Sequence, residues 1–379
     1  MNNAITLFRI RGIEIRMHFT FPLILLWGAF YFGVFTGQGW EGAAFGVIVT
    51  LILFAIVVLH ELGHALTARG FDIPVKRIVL LPIGGVSQME NIPEKPSQEL
   101  AISIAGPAVN LVLAILLVLA GRNLLPNNLP NTSALMSNIG RLTFESIFLY
   151  VFATNIFIGA FNLLPAFPMD GGRVLRALLA TRLEYTRATD IAVVVGQIAA
   201  WGLGLWGFMS GNLLLILIAI FIYMGAGMEG RMVHLRSVLR NLRAEDAYSR
   251  NVSTLSPDQT LQDAADLTLH SSQANFPVCE DGEVVGLLTL QTMVQALKKR
   301  PVDTPIDQIM LTEVPLISPS DELFQVQQKL SKNSYDALPV SKDGKFLGII
   351  TSRDISEIYQ LATSSPTLFS KRLEAGRSA

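Results

Sequence analysis

Two histidines and a glutamate are spaced for metal chemistry at the end of a long apolar stretch. His60 and His64 are four residues apart, and Glu61 follows His60, in the sequence HELGH. On a helix, positions i and i+4 share a face, so both imidazoles could hold one zinc ion while the carboxylate takes a proton from water. The spacing indicates a metal-dependent hydrolytic site, although so short a pattern also occurs on helices that bind no metal.

A third metal ligand is expected elsewhere in the chain, because a catalytic zinc ion usually has three protein ligands. Asp170 lies in the segment NLLPAFPMDGG, where Pro165 and Pro168 interrupt an apolar run. Two interpretations remain open for this carboxylate. It caps the short amphipathic segment that follows, or it lies at the depth of the histidines and completes the site.

The stretches that carry these residues are typical of a membrane protein. The chain of 379 residues is 51% hydrophobic and 16% charged. Its apolar runs predict six transmembrane helices, at 19–35, 42–68, 100–120, 144–164, 191–209 and 213–227. Residues 42–59 contain no charge. Ionisable groups cost roughly 2.5 to 3.5 kcal/mol each at the centre of a bilayer, so three together call for a function.

The Lys and Arg residues fall mainly on one side of these predicted spans. Fifteen lie in the segments on that side, whereas the other side has Arg122 and Arg141. Because cytosolic loops are rich in Lys and Arg, both termini are predicted to be cytosolic in a multi-pass cell-membrane protein. The same count places the HELGH sequence and Asp170 at the cytosolic side, which favours Asp170 as the third ligand.

Two further segments carry chemistry-bearing residues. Residues 73–89, IPVKRIVLLPIGGVSQM, predict strands and a turn. This hairpin either lies in the cytosol without a special role or lies at membrane depth, where it must be shielded or line a wet cavity. The third apolar run contains AGPAVN, in which Pro107 can kink the helix, Gly106 allows close packing, and Asn110 needs a polar partner.

In the order of these parts, residues 5–228 resemble the site-2 protease family of intramembrane zinc metalloproteases. The matching motifs are HELGH, the glycine pair at 84–85, GPAVN and NLLPAFPMDGG. The resemblance implies that His60, His64 and Asp170 bind one zinc ion and that Glu61 is the general base. It also implies that a second group of residues holds an unwound substrate, namely Asn162, Asn110, Gly84 and Gly85 with the strand from Ile83 to Ser87.

The second part of the chain reads as a soluble sequence with an internal repeat. At an offset of 62 residues, ten positions between 256 and 294 are identical. Each unit predicts helix, strand, strand and helix, and the pair resembles tandem CBS domains. The resemblance implies a site for ATP or AMP at GIITSRD, with Thr351 and Asp354, whereas the first unit has Thr292 in place of the acid. A structural or homodimerising module without ligand remains the alternative.

The predicted fold is therefore a polytopic α-helical membrane domain, with about six transmembrane helices and a membrane-associated β-hairpin, followed by a soluble α/β CBS pair. The predicted bounds are 1–230 for the membrane domain, 231–243 for a basic linker, 244–302 and 303–364 for the CBS repeats, and 365–379 for a tail. The single cysteine, Cys279, excludes an intrachain disulfide. The absence of a basic patch interleaved with aromatics argues against a nucleic-acid partner.

The predicted function is a zinc endopeptidase that cuts single-span membrane proteins in the lipid bilayer. The main alternative is a CBS-regulated transporter or channel, whose pathway would need polar residues in several spans. Here the fifth and sixth spans carry almost none. An inactive scaffold is a third possibility, against which the intact HELGH sequence and Asp170 argue.

Overall fold

The computed structural model describes residues 4–82, 84–89, 95–124, 140–271, 273–333 and 335–365. The chain divides into two compact units, Met1–Gly230 and Arg231–Ala379. The first unit contains the long apolar helices and a four-stranded sheet. The second contains another four-stranded sheet with shorter helices.

The sheet of the first unit has the strand order β1-β2-β3-β4. Its strands are β1 (Ala4–Ile10), β2 (Ile13–His18), β3 (Val75–Leu81) and β4 (Gly84–Met89). β1 and β2 form an antiparallel hairpin, β2 pairs with β3 in parallel, and β3 and β4 form a second antiparallel hairpin. Arg11 and Gly12 both have positive φ, the backbone conformation that suits a two-residue turn between twisted strands.

The hairpin predicted at 73–89 is present, but it is half of a larger sheet. The other half comes from residues 4–18, which the sequence did not assign to any element. Their apolar alternation puts Ile13 and Ile15 on a fully buried face, while Arg9 and Arg16 on the other side bind Glu14. Because β2 pairs with a strand about 60 residues away, local sequence patterns do not predict the complete sheet.

Among the described residues, five helices are long and apolar enough to cross a bilayer. With the shorter helices, the order is α1 (Pro22–Phe30), α2 (Gly39–Arg69), α3 (Pro96–Leu124), α4 (Phe144–Asn162), α5 (Asp170–Ala180), α6 (Tyr185–Met209) and α7 (Leu213–Leu239). The first predicted span is shorter than expected. It consists of the nine residues of α1 and a five-residue π-helical extension, Tyr31–Phe35, against the roughly 20 that a span needs.

Close glycine contacts hold α1 against α2. A Cβ added to Gly46 would lie 2.2 Å from the carbonyl oxygen of Gly28, so only a glycine allows this approach.

The β1–β2 hairpin before α1 and the β3–β4 hairpin after α2 belong to one sheet. The Arg69 guanidinium also donates to the carbonyl oxygen of Arg11. Both polar segments therefore gather at the C-terminal end of α2, where the HELGH sequence lies.

The second unit contains the two repeats. Its sheet order is β5-β6-β8-β7, with β5 (Asn275–Glu280), β6 (Glu283–Thr289), β7 (Ala337–Lys342) and β8 (Lys345–Thr351). The helices are α8 (Leu261–His270), α9 (Leu290–Leu297), α10 (Leu323–Asn333) and α11 (Ser352–Ser364). Each repeat thus has the predicted order helix, strand, strand, helix. Residues 231–239 of the predicted linker are the last turns of α7.

Candidate metal centre

The HELGH sequence lies near the end of α2 and places both imidazoles on one face. His60 and His64 are buried, with 4% and 5% of their surface exposed, and their Nε2 atoms are 3.1 Å apart. A four-residue spacing on a helix brings side chains to this distance without strain. The sequence prediction that the two rings converge is therefore met by the geometry.

Asp170 joins these histidines from a distant part of the chain. Its Oδ2 lies 3.1 Å from Nε2 of His60 and 3.1 Å from Nε2 of His64. The cap position of α5 is Met169, and Asp170 is the first helical residue. Of the two interpretations that the sequence left open, the structure thus supports the convergence of Asp170 with the histidines rather than a cap at α5.

Two glycines allow α5 to begin at this place. A Cβ on Gly171 would lie 2.2 Å from the carbonyl oxygen of Leu164, and one on Gly172 would lie 2.6 Å from the amide nitrogen of Phe167. Any side chain at either position would push α5 away from the loop that leads into it. The DGG sequence is therefore a packing requirement as well as the source of the carboxylate.

The three donor atoms fit a zinc ion. Tetrahedral zinc with bonds of about 2.0 to 2.1 Å to nitrogen and oxygen separates its ligand atoms by roughly 3.3 Å. The observed separations of 3.1 Å are close to that value. Gly106 of α3 leaves room beside the donors, since a Cβ there would lie 2.2 Å from Nε2 of His64 and 2.6 Å from Nε2 of His60.

The opposite nitrogen of each ring is held by α3. Nδ1 of His60 lies 2.5 Å from Oδ1 of Asn110, and Nδ1 of His64 lies 2.6 Å from the carbonyl oxygen of Ile102. Both partners are acceptors, so each Nδ1 carries the proton and each Nε2 keeps its lone pair for a metal. The outer contacts therefore select the ligand form of both histidines.

The orientation of Asn110 is itself fixed by Asn155 of α4. The Asn110 amide donates to Oδ1 of Asn155 at 2.9 Å, and the Asn155 amide donates to the carbonyl oxygen of Asn110 at 2.9 Å. Both side chains are buried, at 2% and 0% exposure. The sequence did not single out Asn155, although a polar residue inside an apolar span is the same signal that drew attention to Asn110.

The surroundings of Asp170 favour its charged form. Burial alone would raise its pKa, but the adjoining imidazoles of His60 and His64 and the nearby charge of Arg173 lower the pKa of Asp170 below its ordinary range. A metal ligand of this type must be a carboxylate anion.

Glu61 lies beside the donors on the half-buried side of α2, next to β4. The Ser87 hydroxyl donates to Oε2 of Glu61. A Cβ on Gly85 would lie 2.8 Å from Cγ of Glu61, so β4 passes directly over this side chain. Glu61 thus faces the edge strand of the sheet and directly follows His60, one of the three converging donors, in the sequence.

The residues to which the resemblance gave substrate contacts occupy different surroundings. Gly84 and Gly85 open β4 and are half-buried, and Ile83 lies outside the described residues. Asn162 ends α4, and its amide donates to the carbonyl oxygen of Ile158 at 3.0 Å. Asn110 is buried between His60 and Asn155, so its observed role is to orient a histidine. Direct substrate contact by these residues stays a prediction.

The second unit carries the predicted nucleotide residues at the start of α11. Oδ2 of Asp354 accepts from the Thr351 hydroxyl at 2.6 Å and from the Thr351 amide at 2.8 Å, which forms a capping box. Oδ1 of Asp354 accepts from the Ser249 hydroxyl at 3.0 Å. In the first repeat, Thr289 and Thr292 form a shorter version of this cap without a carboxylate.

Comparison with known proteins matches the membrane part and the repeat part of the chain to two different families. Residues 48–203 match the model of peptidase family M50, and residues 244–299 and 306–360 match the CBS domain. The zinc metalloprotease MJ0392 of Methanocaldococcus jannaschii is 33% identical over 362 residues, covering 94% of this chain and 96% of that protein.

Two further proteins are similar, one at lower identity and the other over a smaller part of the chain. The putative zinc metalloprotease Rip3 of Mycobacterium tuberculosis is 28% identical over the whole of this chain and 99% of that protein. The solved structure of a site-2 protease from Methanocaldococcus jannaschii is 36% identical, covers 60% of this chain and 95% of that chain, and superposes with a TM-score of 0.44.

Proposed function

The chain belongs to peptidase family M50, the site-2 protease family of zinc metalloproteases, and we propose that it cleaves single-span membrane proteins within the bilayer. The observation that carries this proposal is the buried cluster of His60, His64 and Asp170 on helices of a multi-pass membrane unit. Ionisable groups are costly within a bilayer, so three of them that converge on helices of such a unit call for a function. Membership of a protease family also weighs against the transporter or channel that the sequence left open.

In this proposal His60, His64 and Asp170 hold one zinc ion. Bound zinc supplies a Lewis acid that makes a water molecule nucleophilic near neutral pH. Glu61 takes the proton of the attacking water and gives it to the leaving amine. The Ser87 hydroxyl, which donates to Glu61, keeps that carboxylate turned toward β4 and the approaching peptide.

The substrate would reach Glu61 by pairing with β4. In the part of the chain that the structure describes, this strand is the last of the sheet and pairs with β3 along one edge. An unwound peptide can add to such an edge through main-chain hydrogen bonds. Gly84 and Gly85 would then let the peptide backbone pass close to Glu61, and Asn162, at the end of α4, would contact it from another side.

We infer that the site opens toward the cytosol and that both termini lie there. The β1–β2 and β3–β4 hairpins share one sheet, which supports a common side of the membrane for the N-terminal Arg residues and the basic residues after α2. Lys and Arg concentrate in cytosolic segments. Single cysteines placed at 11, 76 and 141, in a variant in which Cys279 is replaced by serine, test this orientation. Those at 11 and 76 should react with an impermeant reagent from the cytosolic side, and the one at 141 from the opposite side.

Cleavage by the purified protein in lipid vesicles tests the proposed activity. We expect it to cut a single-span model protein whose span carries a Gly-Pro break near the cytosolic end, because helix breakers expose the peptide bond. A matched protein with Leu-Leu at that position should be cut much more slowly. A chelator should abolish cleavage, and one equivalent of zinc per chain should restore it. Cleavage that survives complete metal removal would contradict the proposal.

We also propose that the second CBS repeat binds an adenine nucleotide, at the start of α11. The Asp354 carboxylate offers acceptors suited to ribose hydroxyls, and within the described ranges its Oδ1 accepts from the Ser249 hydroxyl, which a ribose hydroxyl could replace. We expect calorimetry on the full chain to give one ATP or AMP per chain. Asp354→Ala should weaken binding about 10-fold or more, since charge-assisted hydrogen bonds are lost.

The first repeat provides the matched control for this prediction. Thr292 occupies the position equivalent to Asp354 but has no carboxylate, so Thr292→Ala should leave nucleotide affinity unchanged. Asp354→Ala also removes a capping box, so the thermal stability of each variant without nucleotide must be measured beside the affinity. Equal affinity in the wild type and Asp354→Ala, or no binding at all, would favour a structural role for the pair.

A further inference from the structure

A fully buried arginine lies at the contact of three helices in the first unit. Arg176 of α5 has 0% exposure and is the largest of the fully buried side chains. Its Nε and Nη2 donate to Oε1 of Glu99 on α3, at 2.9 and 2.5 Å. Its Nη1 donates to Oε1 of Glu229 on α7, at 2.7 Å. One guanidinium therefore joins α3, α5 and α7.

Two aromatic rings enclose the same guanidinium. Cζ of Arg176 lies 4.9 Å from the ring centroid of Phe167 and 4.9 Å from that of Tyr185. Phe167 belongs to the loop just before Asp170, whereas Arg176 lies on the helix just after it. The contact between Phe167 and Arg176 therefore joins the two ends of the segment that carries Asp170. Arg is suited to this position, because its planar group can stack on rings and donate in several directions at once.

Stability alone does not account for this cluster. Replacing a buried ion pair with well-packed apolar side chains is often neutral or stabilising, so such pairs are weak evidence for a stabilising role. The pair also leaves Oε2 of Glu99 buried without a hydrogen-bond partner among the described residues. The cluster does fix geometry, since a forked donor sets the relative position of the groups that it joins.

The position that it fixes is that of Asp170 relative to α3. On α3, Glu99, the Ile102 carbonyl, Gly106 and Asn110 follow one another at intervals of three or four residues, and therefore lie along one face. Ile102 and Asn110 hold the two histidines, and Gly106 faces both donor nitrogens. Glu99, the first of these four residues, binds Arg176 and so connects the same face of α3 to α5.

We propose that Glu99, Arg176 and Glu229 are positioning residues that hold α5, and with it the Asp170 carboxylate, at the distance from His60 and His64 that zinc binding requires. The inference rests on the proposed function, since it gives the cluster a role toward the same metal. Through Glu229 the same contact also ties the site to α7, the last helix of the unit.

Four variants of the full-length protein in vesicles or detergent test this role. Arg176→Lys keeps the charge but cannot reproduce the fork, Arg176→Gln removes the charge, and Glu229→Gln weakens one of the two contacts. Arg182→Gln is the matched control, because Arg182 is an exposed arginine of the same region, just beyond the end of α5. Zinc affinity by chelator competition, the visible spectrum of the cobalt-substituted protein and thermal unfolding are measured for each.

We expect Arg176→Lys to weaken zinc binding by about 10-fold, the lower end of what losing a direct partner of a metal ligand costs, because Arg176 acts on Asp170 through α5. Glu229→Gln should show a smaller loss. The cobalt spectrum should change in both, since it reports the arrangement of the ligands, and cleavage should lose kcat with little change in KM. Arg182→Gln should match the wild type in every measurement.

Other outcomes separate the two proposals. If wild-type protein binds no zinc that depends on His60, the proposed function itself fails. If the wild type binds zinc and folded Arg176→Lys and Glu229→Gln proteins keep its affinity and cobalt spectrum while only the unfolding temperature falls, the cluster is merely structural and this inference is overturned. Should Arg176→Gln fail to fold, Glu229→Gln decides by the same criteria.

Discussion

A Glu61→Gln variant will bind zinc like the wild type and lose its cleavage activity by about 100-fold or more, the usual contribution of a general base. Glutamine keeps the size of the side chain and can still accept from the Ser87 hydroxyl, but it cannot take a proton from water. Glu61 is not among the converging donor atoms, so metal content should stay at one zinc per chain. Elemental analysis and the rate of cleavage in vesicles measure the two properties.

Glu41 supplies the control for this result. It is an exposed glutamate in the first turn of the same helix, α2, so Glu41→Gln makes the same chemical change at the other end. Its metal content and cleavage rate should both equal those of the wild type. Turnover by Glu61→Gln within a few-fold of the wild-type rate would remove Glu61 as the base.

The second large effect is expected at Asp170. Asp170→Ala takes away one of three donors and the only anionic one, so we expect zinc affinity to fall by more than the roughly 10 to 100-fold that an outer contact is worth. Cleavage should be lost together with the metal. Zinc per chain after dialysis against a weak chelator, followed by the cleavage assay, measures both.

Two further variants show whether this loss belongs to the site. Asp170→Asn keeps the shape of the side chain and removes the charge, and should also lose most of the zinc. Asp190→Ala changes an exposed carboxylate on α6 and should retain one zinc per chain. A full complement of zinc in folded Asp170→Ala protein would exclude Asp170 from the ligand set.

The sequence predicts the inner part of the site better than its support. His60 and His64 follow from spacing on one helix, and Asp170 follows from proline breaks and loop charge, which are local signals. The contacts of Asn155 and of the Ile102 carbonyl depend on how α3 and α4 pack, and backbone atoms carry no sequence signature. Parallel pairing of β2 with β3 is likewise a long-range contact.

Arg176 illustrates what a count of Lys and Arg residues in the loops does not report. It is one of the fifteen Lys and Arg residues assigned to the cytosolic side, yet its side chain is wholly buried. Composition reports that a segment is basic but not which of its charges faces water. The burial of Arg176 depends on its ion pairs with Glu99 and Glu229, which come from distant helices.

The single face that α3 turns to the site limits how this helix can evolve. An inserted residue between Ile102 and Gly106 would rotate everything on one side by about 100° and advance it by about 1.5 Å. Asn110 would then lose register with Glu99, and no point substitution could restore both. Leu111, Val112 and Ile115, which are exposed, are free to drift among apolar types. The helix thus tolerates exchange on its outer side, but between 99 and 110 it tolerates neither insertion nor deletion.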